Sequence, residues 1–124
     1  MEPKERIIVA LDVPSIEVAK PAVGELAPYV GCFKIGLGAI SYGFAHELAR
    51  IIINSGGKVG WDGKFDDIPN TVGAATKEVA TLGVEWANVH ASAGLKSVVA
   101  AVENRGGTKI YGVTVLTTID PKEC

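Results

Sequence analysis

Five short runs poor in polar residues recur along the chain: Ile7 to Val13, Phe33 to Leu37, Lys58 to Asp62, Trp86 to Val89 and Ile110 to Leu116. Runs of this kind, rich in Val, Ile and aromatic residues, predict strands covered on both faces. Between them apolar residues return at helical spacing: Ile16, Ala19, Val23 and Leu26; Phe44, Leu48 and Ile51; Val72, Ala75, Val79 and Leu82; Leu95, Val98 and Val102. This spacing predicts four helices, each with one apolar stripe. Ser15 stands where the first helix needs an N-cap. Gly56-Gly57, Gly83 and Gly106-Gly107 mark returns from helix to strand, where a left-handed residue closes a helix.

The strand ends fall near residues 12, 37, 62, 89 and 115, a repeat of about 26 residues. Strands and helices alternating at that period indicate a parallel α/β fold. Two architectures fit. One is a little over half of a (β/α)8 TIM-type barrel, which needs roughly 200 residues or more when closed. The other is a small doubly wound domain with an open five-stranded sheet. At 124 residues and 48% apolar, the chain holds one domain or part of one. A net charge of -2, with acids and bases interspersed, provides no basic field for nucleic acid. No apolar run approaches the roughly 20 residues that span a bilayer, and Met1 to Arg6 lacks a signal-peptide core, so a cytoplasmic protein with no membrane partner is expected. Cys32 and Cys124 form neither a disulfide framework nor a metal-ligand spacing, which fits a reducing compartment.

Charge collects at the strand ends, where parallel α/β folds carry their active sites. Asp12 closes the first predicted strand, Lys34 lies in the second, Asp62 and Lys64 close the third, and Asp67 follows in the loop. Residues two apart on a strand share a face, so Asp62 and Lys64 are expected to point the same way. A lone buried charge is costly, whereas alternating opposite charges stabilise one another. At about 4 Å and an effective dielectric of about 20, each neighbouring pair interacts by on the order of 4 kcal/mol, enough to keep the lysines protonated. Such an array holds a lysine as an acid beside a carboxylate, the arrangement that protonates a carbanion as it forms. The structural alternative is a salt-bridge network that closes the top of the sheet.

Other signals are weaker. Gly36-Leu37-Gly38 continues as Ala39-Ile40-Ser41 without the third glycine of a dinucleotide fingerprint, and reads as a strand-to-helix turn. Gly57-Lys58 lacks the rest of a phosphate-binding loop and reads as a turn. His90, at the end of the fourth strand, has no Cys or acidic companion and is expected to be a structural hydrogen-bonder. His46 is expected on a helix surface.

The run Asp62-Gly63-Lys64-Phe65-Asp66-Asp67-Ile68-Pro69-Asn70-Thr71 resembles orotidine 5'-phosphate decarboxylase. Leu11-Asp12 and Phe33-Lys34-Ile35-Gly36-Leu37 precede it; Asn88-Val89-His90-Ala91-Ser92-Ala93-Gly94 and Val113-Thr114-Val115-Leu116-Thr117 follow, in the family's order. The bare Asp-x-Lys-x-x-Asp pattern is shared with sibling sugar-phosphate decarboxylases and aldolases. The Ile-Pro-Asn-Thr continuation is more specific.

The resemblance implies a TIM-barrel enzyme without cofactor or metal that converts orotidine 5'-monophosphate to UMP and carbon dioxide in pyrimidine synthesis. It implies that Lys64 protonates C6 of the pyrimidine and that Asp62 lies beside the departing carboxylate. Lys34 and Asp12 would bind the ribose hydroxyls. Asp67, Ile68 and Thr71 would reach the neighbouring subunit's site in a homodimer. Thr117 and Thr118 fall near the family's pyrimidine contact. The magnesium-dependent siblings carry an acid near the position of Lys34, where a lysine would repel a divalent cation. The family's phosphate-gripping loops follow the last two of eight strands. The chain is thus expected to be the N-terminal portion of one such barrel domain, with a non-catalytic half-barrel as the alternative.

Overall fold

Parallel pairing in sequential order, β1-β2-β3-β4-β5, organises the chain in a computed structural model that describes residues 1–123. The strands are β1 (Ile8–Ala10), β2 (Cys32–Ile35), β3 (Val59–Phe65), β4 (Trp86–His90) and β5 (Lys109–Val113). A doubly wound sheet reverses its order at a switch point. This one never reverses, so right-handed crossovers set all helices on one side, as in successive units of a (β/α)8 barrel.

The helices are α1 (Ile16–Leu26), α2 (Leu37–Tyr42), α3 (Ala45–Asn54), α4 (Pro69–Thr81) and α5 (Leu95–Glu103). Four were expected, and α2 is the addition. β2 stops at Ile35, two residues earlier than predicted, and Gly36 becomes the N-cap of a short helix. Gly43, at φ +88, turns the chain before α3 begins; the left-handed backbone there suits glycine. The other punctuation agrees with expectation: Ser15 accepts the Val18 N–H, and Gly56, Gly83 and Gly106 have positive φ.

Alternation divides each strand between two faces. Val9, Leu11, Phe33, Ile35, Val59, Trp61 and Ala87 face the helices and form one core with Ile16, Val23, Leu48, Ile52 and Val79. Full burial of a side chain the size of Phe33, Leu48 or Ile52 contributes about 1.5–3 kcal/mol. The opposite face carries Ile8, Lys34, Gly60, Asp62, Trp86, Asn88 and Tyr111. Ile8 and Tyr111, on its two edge strands, are half exposed. Cys32 is buried, and burial pushes its thiol pKa up, so it acts as a packing group. Cys124 lies outside the described residues.

Candidate active site

β3 delivers both central groups, and it does so through an irregularity. From Trp61 to Phe65 it takes four residues against the two from Ala87 to Val89 on β4. The surplus bends the strand end, and Lys64 adopts φ +47, the one non-glycine residue with positive φ among the described residues. Asp62 and Lys64 meet as expected, although the strand between them is not regular. Lys64 Nζ lies 2.7 Å from Asp62 Oδ1, and Lys34 Nζ, arriving from β2, lies 3.3 Å from Oδ2.

Asn88 on β4 completes the cluster. Its Nδ2 donates to Asp62 Oδ1 at 2.8 Å, while its Oδ1 accepts the backbone N–H of Lys64 at 2.8 Å. Burial of Asp62 favours the neutral acid, but hydrogen bonds from Asn88, Lys64 and Lys34 outweigh it and hold the carboxyl below its ordinary range. The result is an ionised carboxylate between two ammonium groups whose side chains keep about 30% of their surface exposed. One ammonium can give up a proton while the other preserves the pairing.

The remaining expected residues are placed differently. Asp67 makes no ion pair among the described residues; its Oδ1 accepts the Ile68 N–H at 2.7 Å, and its carbonyl accepts the Ser97 hydroxyl. The array within this chain is therefore Lys34-Asp62-Lys64, because the loop carries Asp67 outward onto the approach to α4. Lys64, Asp67 and Thr71 nevertheless line one open depression of about 260 Å³. Ile68, just before α4, is largely exposed, as is Thr71 in its first turn. Asp12 lies beyond the end of β1, exposed and close to Gly36, without an ion pair to Lys34 among the described residues.

His90 ends β4 but makes no side-chain hydrogen bond among the described residues, contrary to the structural role expected of it. His46 is exposed on α3, with its ring edge against Trp61 at 5.3 Å. Thr117 and Thr118 form an exposed turn past β5. Asn88 is the residue that sequence reasoning missed. Its signal was a carboxamide in an otherwise apolar strand, which calls for partners on a neighbouring strand.

Residues 5–124 match the profile of the Orotidine 5'-phosphate decarboxylase / HUMPS family. The chain belongs to this family. It is 42% identical over 129 residues to the orotidine 5'-phosphate decarboxylase of Moorella thermoacetica, a match covering 97% of this chain and 51% of that protein. The orotidine 5'-phosphate decarboxylase of Rhodopseudomonas palustris strain TIE-1 is 40% identical, with 97% and 50% covered. The crystal structure of orotidine 5'-phosphate decarboxylase from Lactobacillus acidophilus superposes with a TM-score of 0.81 at 31% identity, covering 92% of this chain and 55% of that one. The chain thus spans about half the length of the curated relatives it matches. Its five parallel strands and the helices between them are of the TIM-barrel type found in the orotidine 5'-phosphate decarboxylase family, and its charged cluster lies at the carboxyl ends of β2 and β3.

Proposed function

We propose that this chain is the N-terminal part of a single barrel domain, and that it carries the decarboxylating groups of an orotidine 5'-monophosphate decarboxylase. The contact sequence Lys34-Asp62-Lys64 at the mouth of the sheet is the observation that carries this reading. In the proposed reaction the bond from C6 to the carboxylate breaks, carbon dioxide leaves, and the electron pair remaining on C6 takes a proton from the Lys64 ammonium. Water then reprotonates Lys64. Asp62, kept ionised, holds that ammonium in place and lies beside the departing carboxylate. Interactions that strengthen as the carbanion forms lower the barrier, and a preorganised ammonium provides one.

Lys34 and Asp12 take the ribose hydroxyls in this reading. Asp67, Ile68 and Thr71, exposed together around α4, serve the neighbouring subunit's site in a homodimer of a cytoplasmic enzyme. A positive charge at Lys34 supports chemistry without a divalent cation, which it would repel. Among the described residues, no helix is long and apolar enough to cross a membrane.

The test is UMP formation from orotidine 5'-monophosphate, with the remaining strand–helix units of a relative's barrel supplied in fusion or in trans. Turnover without added magnesium is expected, and Lys64→Ala should abolish it. Survival of activity in that variant would remove Lys64 from its role, and a magnesium requirement would return the reading to a sibling sugar-phosphate enzyme. The half-exposed Ile8 and Tyr111 favour a second reading, a half-barrel that pairs with its own copy. A monomer in sedimentation that ignores UMP would exclude it.

A further inference from the structure

Asn88 contacts both members of the β3 pair from a different strand. Its amide fits in only one orientation, because the Asp62 carboxylate can only accept and the Lys64 backbone N–H can only donate. The side chain lies opposite the irregular stretch of β3, where the ladder is interrupted and Lys64 has left-handed backbone angles. A lysine persists in that region only where its surroundings hold it. Asn88 is 8% exposed, its bond to Asp62 is buried and its bond from the Lys64 N–H is partly buried.

We propose that Asn88 is a positioning residue, which spans the irregularity and fixes the Lys64 backbone and the Asp62 carboxylate relative to each other, thereby aiming the Lys64 ammonium. An aspartate at 88 would keep an acceptor for the Lys64 N–H but set a second carboxylate against Asp62. An alanine would leave the buried Asp62 carboxylate and the partly buried Lys64 N–H without it. The consequence for rate rests on the decarboxylase reading, whereas the effect on Asp62 does not.

Asn88→Ala and Asn88→Asp test this with two readouts: the Asp62 carboxyl titration by NMR, and the kinetics of UMP formation in the completed barrel. The Asp62 pKa should move upward in both variants, because burial remains while a donor is lost. Turnover should fall about 10- to 100-fold, as for loss of a hydrogen bond to a charged group, with KM within about threefold and the acid limb of the pH profile moved upward. A folded variant that keeps wild-type turnover and an unmoved Asp62 titration would overturn the proposal. If neither variant folds, the wild-type chain decides it: slow exchange of the Asn88 side-chain amide protons supports the bridge, and free exchange excludes it. If the decarboxylase reading itself is wrong, wild type will show no turnover while the Asp62 titration still responds to residue 88.

Discussion

Two layers of the same sheet face differ sharply although they are only two residues apart. Toward the amino ends β3 and β4 hold Gly60 and Trp86, and two residues further on they hold Asp62 and Asn88, with Lys64 at the rim; Lys34, level with Gly60 on β2, reaches up to Asp62, while Tyr111 pairs with Asn88 on β5. The Trp86 ring packs against Gly60, so close that an added Cβ would come within 2.2 Å of it, and its ring centroid is 5.4 Å from that of Tyr111. That layer is shaped by packing. The upper layer is shaped by charge: nearly every polar atom is used, and one residue is held in a strained backbone conformation. In barrels of this type the carboxyl-end layer carries the chemistry and the layers below support it.

Substitutions in the two layers should therefore fail in different ways. The largest effect is expected from Asp62→Ala, which leaves Lys34 and Lys64 facing each other without their shared anion. UMP formation in the completed barrel should fall by about 10²- to 10⁴-fold, and a loss below tenfold would mean that the carboxylate is not part of the working site. Gly60→Ala, one layer down, should act on stability alone. Displacing the Trp86 ring should lower unfolding free energy by about 1–3 kcal/mol in urea titration, while turnover per folded molecule stays unchanged.

The pH dependence of stability separates the layers more finely. Asp62 has a folded pKa below its unfolded value of about 3.9, so its contribution is complete above that pH and is lost as pH falls through the lower folded value. Urea midpoints measured across the acid range should show this loss in the wild type and lack it in Asp62→Asn. Trp86→Phe should change stability by no more than about 1 kcal/mol, because the buried indole Nε1 it removes makes no hydrogen bond among the described residues. A drop of several kcal/mol would reveal a partner for that N–H. The smallest change belongs to Lys109→Ala, which breaks a surface pair with Glu85 at 3.2 Å and should register within about 1 kcal/mol.

Periodicity reads the layered fold well because strand burial and helix stripes follow the same residues that pack: Phe33 and Ile35 on β2, Leu48 and Ile52 on α3. It misses α2 because six residues give too little period to register, and two glycines near its start read as a turn. The choice between barrel and open sheet depends on strand order, which spacing does not encode. At the site, the pairing of Asp62 with Lys64 was legible from a two-residue interval. The irregularity in β3 and the Asn88 bridge were not, since both arise from how β3 and β4 meet. Nearness to a strand end places Asp67 and Asp12 at the mouth of the sheet but does not give their side-chain direction, which in loops depends on local hydrogen bonds such as the one from Ile68 to Asp67.

Whether Lys64 serves chemistry or the stability of the sheet separates the two layers most cleanly. One preparation of Lys64→Ala in the completed barrel, assayed for both UMP formation and urea unfolding, addresses it most directly. If Lys64 acts as the proton donor, turnover is lost while the unfolding midpoint stays close to wild type. Wild-type turnover, or a collapse of stability that accounts for the lost activity, would contradict that role.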